Sequence, residues 1–373
     1  MRGWCLFWVS IVLLGCNPGS GTAPVSYRQD LTNLKLPQTP FDYTPALPGY
    51  FTDSTHPRYA GHYDNMPANN PTTDVGATLG RVLFYDTRLS ANNTISCASC
   101  HQQDKGFSDD AVRSEGFQGG LTGRHSMGLA NARFYPNGRF FWDERAPTLE
   151  AQVLMPIQDP VEMGMSLSTL TGLLSSTPEY PVLFAEAYGS DDITEERIAR
   201  ALAQFVRSMI SYQTKFDEGV DTNWQNLTSD ETEGAFLFSG MCAKCHQGTL
   251  QSSKGAANNG LDVESVFDLG IASDTDLAED VGKFKIPSLR NVAVTAPYMH
   301  DGRFATLEQV IRHYLTGLQA HENLDARLQV NGSPQYLPLS QKQIEQLMAF
   351  LNTLTDHALL TDEKFSNPFV NSF

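Results

Sequence analysis

The sequence predicts a mainly α-helical body folded as two related domains with long loops, and three observations point to it. First, residues 193–211 (ITEERIARALAQFVRSMIS) set Ile198, Leu202, Phe205 and Met209 on one helix face. Second, Thr228 with Glu231, Thr306 with Gln309, and Ser340 with Gln343 have the spacing of capping boxes, in which two side chains satisfy the exposed N–H groups of a helix start. The helix opened by Thr306 closes near Gly317, and the one opened by Ser340 runs to about Leu354. Third, a weak repeat is present: LGRVLFYDTRLS and EGAFLFSGM each lead into a C-x-x-C-H unit and then a loop. Convincing strands are few. Gly- and Asn-rich stretches such as residues 247–260 read as loops wrapped around a cofactor.

The chain opens MRGWCLFWVSIVLLGC, with Arg2 ahead of an uncharged apolar run over residues 3–15. That run is too short for a permanent membrane helix and sits where a secretory signal belongs. It ends Leu13-Leu14-Gly15-Cys16, which resembles a bacterial lipobox cleaved before Cys16 and lipidated on its sulfur. The expected divisions are a lipoprotein signal peptide over 1–15, a Pro- and Thr-rich flexible tether over 16–50, and domains over 51–224 and 225–373, with the boundary near Trp224. The expected location is the periplasm, with the body held to a membrane by lipid.

Six cysteines occur. Cys5 would leave with the signal and Cys16 would carry lipid, so the other four fall into the two motifs and leave no pair for a disulfide framework. A formal charge of −16 argues against nucleic acid and anionic lipid surfaces, and is compatible with a cationic partner or with simple solubility.

The two motifs, Cys97-Ala98-Ser99-Cys100-His101 and Cys242-Ala243-Lys244-Cys245-His246, share one logic. Two thiols spaced by two residues can each add to a haem vinyl group, and the following histidine then lies under the ring as the proximal iron ligand. A thioredoxin-like redox pair or a Cys₄ zinc site would need no histidine after each pair. Two cytochrome c-like haem domains, each with covalent haem c, are the expected fold and cofactors.

With these residues in view, the chain resembles the bacterial diheme cytochrome c peroxidase family, which includes the enzyme that matures the tryptophylquinone of methylamine dehydrogenase. The resemblance runs from about Thr73 to Leu354 and is carried by LGRVLFYDTRLSANNTISCASCH, FFWDERAPTLEAQVLMPIQDPVEMG and FKIPSLRNVAVTAPYMHDGRFATLEQVIRHY. It implies that the N-terminal haem reacts with hydrogen peroxide and the C-terminal haem relays electrons. By position, Glu162 in PVEMG corresponds to the distal acid–base residue, Gln152 and Pro156 to pocket residues upstream of it, and Trp142 to the tryptophan between the haems. An isolated glutamate is usually a solvated surface charge and a buried tryptophan usually core; the matching context lifts both above that.

Two departures from the family pattern stand out. Most members ligate the resting N-terminal haem with a loop histidine, but here no histidine lies between His101 and His125, and the equivalent place falls near Phe117. An open distal site that needs no prior reduction is expected. His125 aligns with a calcium-binding asparagine, and Thr295 and Pro297 with backbone carbonyl ligands of the same ion. Since calcium prefers oxygen, that site is left open. At the C-terminal haem the usual methionine ligand is replaced by Tyr314, with Met299 and His313 as rivals. A phenolate would lower the haem potential relative to a thioether.

Three functions follow as alternatives: a peroxidase, a peroxide-driven oxidase of a partner protein's side chain, and a plain diheme electron carrier. The partners would be hydrogen peroxide, a small periplasmic cytochrome c or cupredoxin donor or a protein substrate, and a second copy of the chain in a homodimer, with no nucleic acid.

Overall fold

The structure is a computed structural model that describes residue 31 and residues 33–370. The expected signal peptide and lipidated Cys16 lie outside the described residues. No described helix is long and apolar enough to cross a membrane.

The body is mainly helical, and the helices begin where their caps are. Helix α1 (Asp74–Tyr85) starts at Thr73, whose hydroxyl accepts from the Gly76 N–H. A single turn, α2 (Cys97–Cys100), carries the first motif. Two further short turns, α3 (Leu149–Gln152) and α4 (Met155–Gln158), precede α5 (Leu167–Ser176) and α6 (Glu179–Tyr188). The amphipathic segment forms α7 (Glu195–Ser208) and buries Ile198, Leu202 and Phe205 as its periodicity predicts. In the second half, α8 (Ser229–Met241), α9 (Leu307–Arg312) and α10 (Gln341–Asn352) each start at a complete capping box, and α11 (His357–Thr361) follows. Strands are two-residue pairs, among them β1 (Ala256–Ala257) against β2 (Phe284–Lys285), antiparallel.

The weak repeat has a packing counterpart. Helix α1 crosses α7 where Gly80 faces the Ala201 carbonyl; a Cβ there would stand 2.0 Å from that oxygen. Helix α8 crosses α10 where Gly234 meets the Gln346 carbonyl at the same 2.0 Å. Phe205 and Phe350 flank the two crossings. Each motif is thus preceded by a helix that approaches its partner backbone through one glycine.

Among the described residues two large hydrophobic cores result, besides a small cluster of Leu318, Leu324 and Leu328, and the two interleave along the chain. Leu79, Leu83, Phe84, Leu170, Leu202 and Phe205 lie in the first; Phe238, Ile311, Ile344, Leu347 and Phe350 lie in the second. The single boundary expected near Trp224 is therefore too simple. Tyr50, Phe51 and Phe134 join the second core, while Leu359, Phe365 and Phe369 return to the first.

The tether expected over 16–50 also needs correction in its described part. Leu31, Leu34 and Tyr43 are buried in the first core, the Tyr43 N–H donates to Asp74 Oδ1 at 2.9 Å, and its hydroxyl donates to the Lys364 carbonyl at 2.8 Å. Leu34 bridges to Phe369. An extended segment anchored by scattered apolar residues has no helical or strand period, so its packing left no pattern to read.

The glycine crossings yield a direct test. Gly80→Ala and Gly234→Ala should each destabilise the protein by about 1–3 kcal/mol, the usual cost of overpacking a close contact. Urea unfolding followed by circular dichroism measures it; midpoints unchanged from wild type would contradict the close approach.

Candidate active site

Both motif histidines are oriented by main-chain carbonyls. His101 Nδ1 lies 2.7 Å from the Phe107 carbonyl, and His246 Nδ1 lies 3.2 Å from the carbonyls of Gln251 and Pro287. A carbonyl only accepts, so Nδ1 carries the proton and Nε2 keeps its lone pair, the tautomer that ligates a metal. Burial holds His101 below the ordinary histidine value and His246 down to about 4, so both rings stay neutral.

The cysteines complete the donor set. Burial pushes Cys97 and Cys242 up to about 12 and Cys100 up to about 11. This is the reverse of the electropositive setting that lowers a redox or zinc-binding thiol. Among the described residues no group of three or more His, Cys, Asp or Glu side chains is placed to hold a metal ion, and two thiols followed by an imidazole suit covalent haem attachment. The space fits as well. A cavity of about 1050 Å³ is lined by Cys97, Cys100 and His101 at one part and Cys242, Cys245 and His246 at another. It lies at the upper edge of the usual range for a single ligand site.

Gln152, Pro156 and Glu162 line the same cavity. Gln152 ends α3 and Pro156 lies in the first turn of α4, placed by the Thr148 cap. After α4, Asp159 Oδ1 accepts from the Val161 and Glu162 N–H groups at 2.8 and 3.2 Å, which turns the chain and presents Glu162. Burial first, then the nearby Asp159 charge, holds the Glu162 carboxyl above its ordinary range, against a smaller pull from Arg145. Phe117 stands beside this acid: its N–H donates to the Glu162 carbonyl at 3.0 Å, and its ring covers Gly164.

Trp142 lines the cavity and is fixed from both sides. Its Nε1–H donates to the His125 carbonyl at 2.8 Å, and its own carbonyl accepts from the Lys285 N–H at 2.8 Å. Its neighbours Phe141 and Glu144 have φ of 68° and 56°. The buried Glu144 carboxylate accepts from the Tyr135 hydroxyl and from Asn137 Nδ2, and its carbonyl accepts from Arg139 Nε.

His125 is held at both ring nitrogens. Its ring is 5% exposed, with Nδ1 donating to the Ala111 carbonyl at 2.9 Å and Nε2 meeting Ser108 Oγ at 3.2 Å. Neither nitrogen is left for iron, and an imidazole so held cannot take the place of a calcium-binding amide. Thr295 and Pro297 line the cavity.

At the second motif, Tyr314 and Met299 converge on one group that the sequence did not reveal. Asn259 Nδ2 lies 3.4 Å from both the Tyr314 hydroxyl and Met299 Sδ. Helix α9 widens into a π turn over His313–Gly317, which carries Tyr314; such bulges are frequent at functional sites. Met299 has φ of 77°, a backbone state that a long side chain rarely adopts. Tyr314 and Met299 line the cavity and His313 does not. Its Nε2 donates instead to the Asn259 carbonyl at 2.9 Å, which removes it from the rival ligands. Asn259 was illegible because Asn-Asn-Gly reads only as a turn. Burial pushes the Tyr314 phenol up to about 12.

The donor set predicts haem stoichiometry. Denatured protein should retain two haems by pyridine haemochrome assay, and Cys97→Ala with Cys100→Ala should retain one. Purified protein that holds zinc and lacks haem absorbance would refute the assignment.

A family model described as di-haem cytochrome c peroxidase matches residues 74–225. The methylamine utilization protein MauG of Methylorubrum extorquens is 34% identical over 303 residues, covering 77% of this chain and 80% of its own. A cytochrome c551 peroxidase from Nitrosomonas europaea is 32% identical, covering 78% and 85%. Among solved structures, a MauG-like protein associated with microbial copper homeostasis superposes with a TM-score of 0.73 at 32% identity, over 81% of this chain and 95% of that one. Similarity of this extent, joined to two complete haem-attachment motifs around one cavity, makes the chain a member of the di-haem cytochrome c peroxidase family of oxidoreductases.

Proposed function

We propose that this protein is an exported peroxidase that reduces hydrogen peroxide at the haem of Cys97, Cys100 and His101, with electrons arriving through the haem of Cys242, Cys245 and His246. The observation that carries this reading is Glu162 in the wall of the cavity shared with the first motif, its carboxyl raised by burial. Haem, when bound, supplies the redox chemistry that splits peroxide and passes electrons.

The chain's own residues do the proton work. Glu162 accepts a proton from one peroxide oxygen and returns it to the other as the O–O bond breaks, so the leaving oxygen departs as water. A raised pKa keeps the group close enough to neutrality to serve both halves. Gln152 and Pro156 bound the peroxide pocket, and Trp142 bridges the two halves as an electron relay. With His125 held at both nitrogens and no histidine near Phe117, the resting enzyme needs no prior reduction to open its distal site.

A second reading is favoured by one observation, the convergence of Tyr314 with Met299 on Asn259. A phenolate on the C-terminal iron would disfavour its reduction by ordinary donors and suit oxidation of a partner protein's side chain. The donor in the peroxidase reading is a small cytochrome c or cupredoxin with a cationic face, matched to the net charge of −16. Lipidation at Cys16 would hold the enzyme at a periplasmic membrane surface. Calcium has no part in this reading, because His125 supplies no oxygen.

Glu162→Gln should retain both haems yet lose on the order of 10²–10⁴ in peroxide turnover. The working base is the carboxylate, so wild-type activity should fall as pH drops through a value above the ordinary 4.5, and the Gln variant should lack that limb. Turnover within about threefold of wild type would remove Glu162 from the mechanism. Tyr314→Met should raise the potential of the C-terminal haem in a redox titration. Identical titrations would exclude Tyr314 as the ligand and leave Met299.

A further inference from the structure

Among the described residues three tyrosines donate to buried carboxylates, and one of the three pairs is unlike the others. Tyr50 donates to Asp217 at 2.7 Å, and Tyr180 donates to Asp86. In both, an arginine neutralises the acid: Arg290 lies 2.6 Å from Asp217, and Arg88 lies 2.8 Å from Asp86. Tyr135 donates to Glu144, both 5% exposed, and among the described residues Glu144 has no arginine or lysine within ion-pair distance. A buried carboxylate without a bonded cation is costly, and Glu144 is left as the acceptor that faces the Tyr135 hydroxyl. The third pair also has a different position. Tyr135 lines the cavity with Trp142 and both motifs, whereas Tyr50 and Tyr180 do not.

Lys285 joins this pair to Trp142. Glu144 follows Trp142 by two residues, and Lys285, whose N–H donates to the Trp142 carbonyl, sets its Nζ 3.4 Å from the centre of the Tyr135 ring. We propose that Tyr135 is an oxidisable side chain of this site, giving one electron toward the haems by way of Trp142 while its phenolic proton passes to Glu144.

The step rests on the peroxidase reading, which names the oxidant. Hydrogen peroxide takes two electrons and two protons to become two waters. Tyr135 supplies one of those electrons, its O–H bond breaks, and a new O–H bond forms on Glu144. A neutral tyrosyl radical remains, and the donor of the proposed reaction supplies the second electron. Proton loss in the same step matters, because a tyrosine that lost only its electron would leave a buried cation radical. The Lys285 ammonium over the ring opposes electron loss, but burial brings that lysine down to about 7, so part of its charge is shed near neutral pH. A tyrosine so placed holds an oxidising equivalent away from the haems until a donor arrives.

The test is freeze-quenched electron paramagnetic resonance of the diheme holoprotein after one equivalent of hydrogen peroxide. A tyrosyl signal is expected that narrows in protein grown with ring-deuterated tyrosine and is lost in Tyr135→Phe. Glu144→Gln should slow its formation by on the order of 10², as loss of a proton acceptor does. Tyr180→Phe should leave it unchanged. A signal that survives Tyr135→Phe, or wild-type haem absorbance that answers peroxide with no tyrosyl signal, overturns the proposal alone. Should Tyr135→Phe fail to fold, a wild-type signal insensitive to tyrosine deuteration overturns it equally. Haem absorbance that ignores peroxide removes the peroxidase reading and this proposal together.

Discussion

The structure depends on a hydrogen bond made twice, from an imidazole Nδ1 to a main-chain carbonyl. Without it a buried histidine could protonate either nitrogen, and half of its orientations would offer iron an N–H instead of a lone pair. At the first motif the acceptor is close in sequence: Phe107 is six residues beyond His101, at a positive φ of 62° that turns its carbonyl back. At the second, the acceptors Gln251 and Pro287 come from segments far apart, one of them just after β2. The long loops are therefore not slack. They carry the carbonyls that fix each tautomer, and they must return to the motif to do so.

A two-part cavity also demands that the halves keep one relative position. The glycine crossings of α1 with α7 and of α8 with α10 make each half rigid, and the interleaved cores tie the halves together. Arg124 contributes at the seam. It binds Asp143 beside Trp142 at 2.6 Å and Asp268 from the second half at 2.7 Å, with part-buried partners that strengthen such pairs beyond a surface salt bridge. A tryptophan held by His125 and Lys285 on a seam so braced is fixed in place, which the electron relay proposed for it would need.

How much of this was legible depends on the range of the interaction. The motifs, the capping boxes at Thr228, Thr306 and Ser340, and the amphipathic face of α7 are local patterns with one physical meaning, and all appear as read. Glu162, Gln152, Pro156 and Trp142 were reachable through resemblance, since long matching segments surround them; the structure adds that they share one cavity. Features made by distant residues left no trace. Asn259 is one asparagine in a turn-like loop, and its meeting with Tyr314 depends on a register 55 residues away. Leu31 and Leu34 sit in a stretch whose composition resembles a linker, and they join the first core, where Leu34 pairs with Phe369 of the returning C-terminal segment. The geometry of His125 could not be read, because the Ser108 and Ala111 groups that hold its ring belong to a loop that has no period.

The pocket at the second motif sets two chemically unlike side chains before the same amide, and protonation separates them. Met299 offers sulfur without losing a proton, but from a backbone with φ of 77° that the surrounding chain must impose. Tyr314 comes from a π turn, and burial pushes its phenol up to about 12, so near neutral pH the free side chain keeps its proton. A ferric ion bound beside it would invert that preference, because a nearby cation favours the anionic oxygen. Tyrosine ligation would then release a proton as the metal is oxidised, whereas methionine ligation would not. Asn259 is suited to either arrangement: its Nδ2–H can donate to the phenolic oxygen or rest against the thioether. The amide thus touches both candidates, and the charge on a bound iron would decide between them.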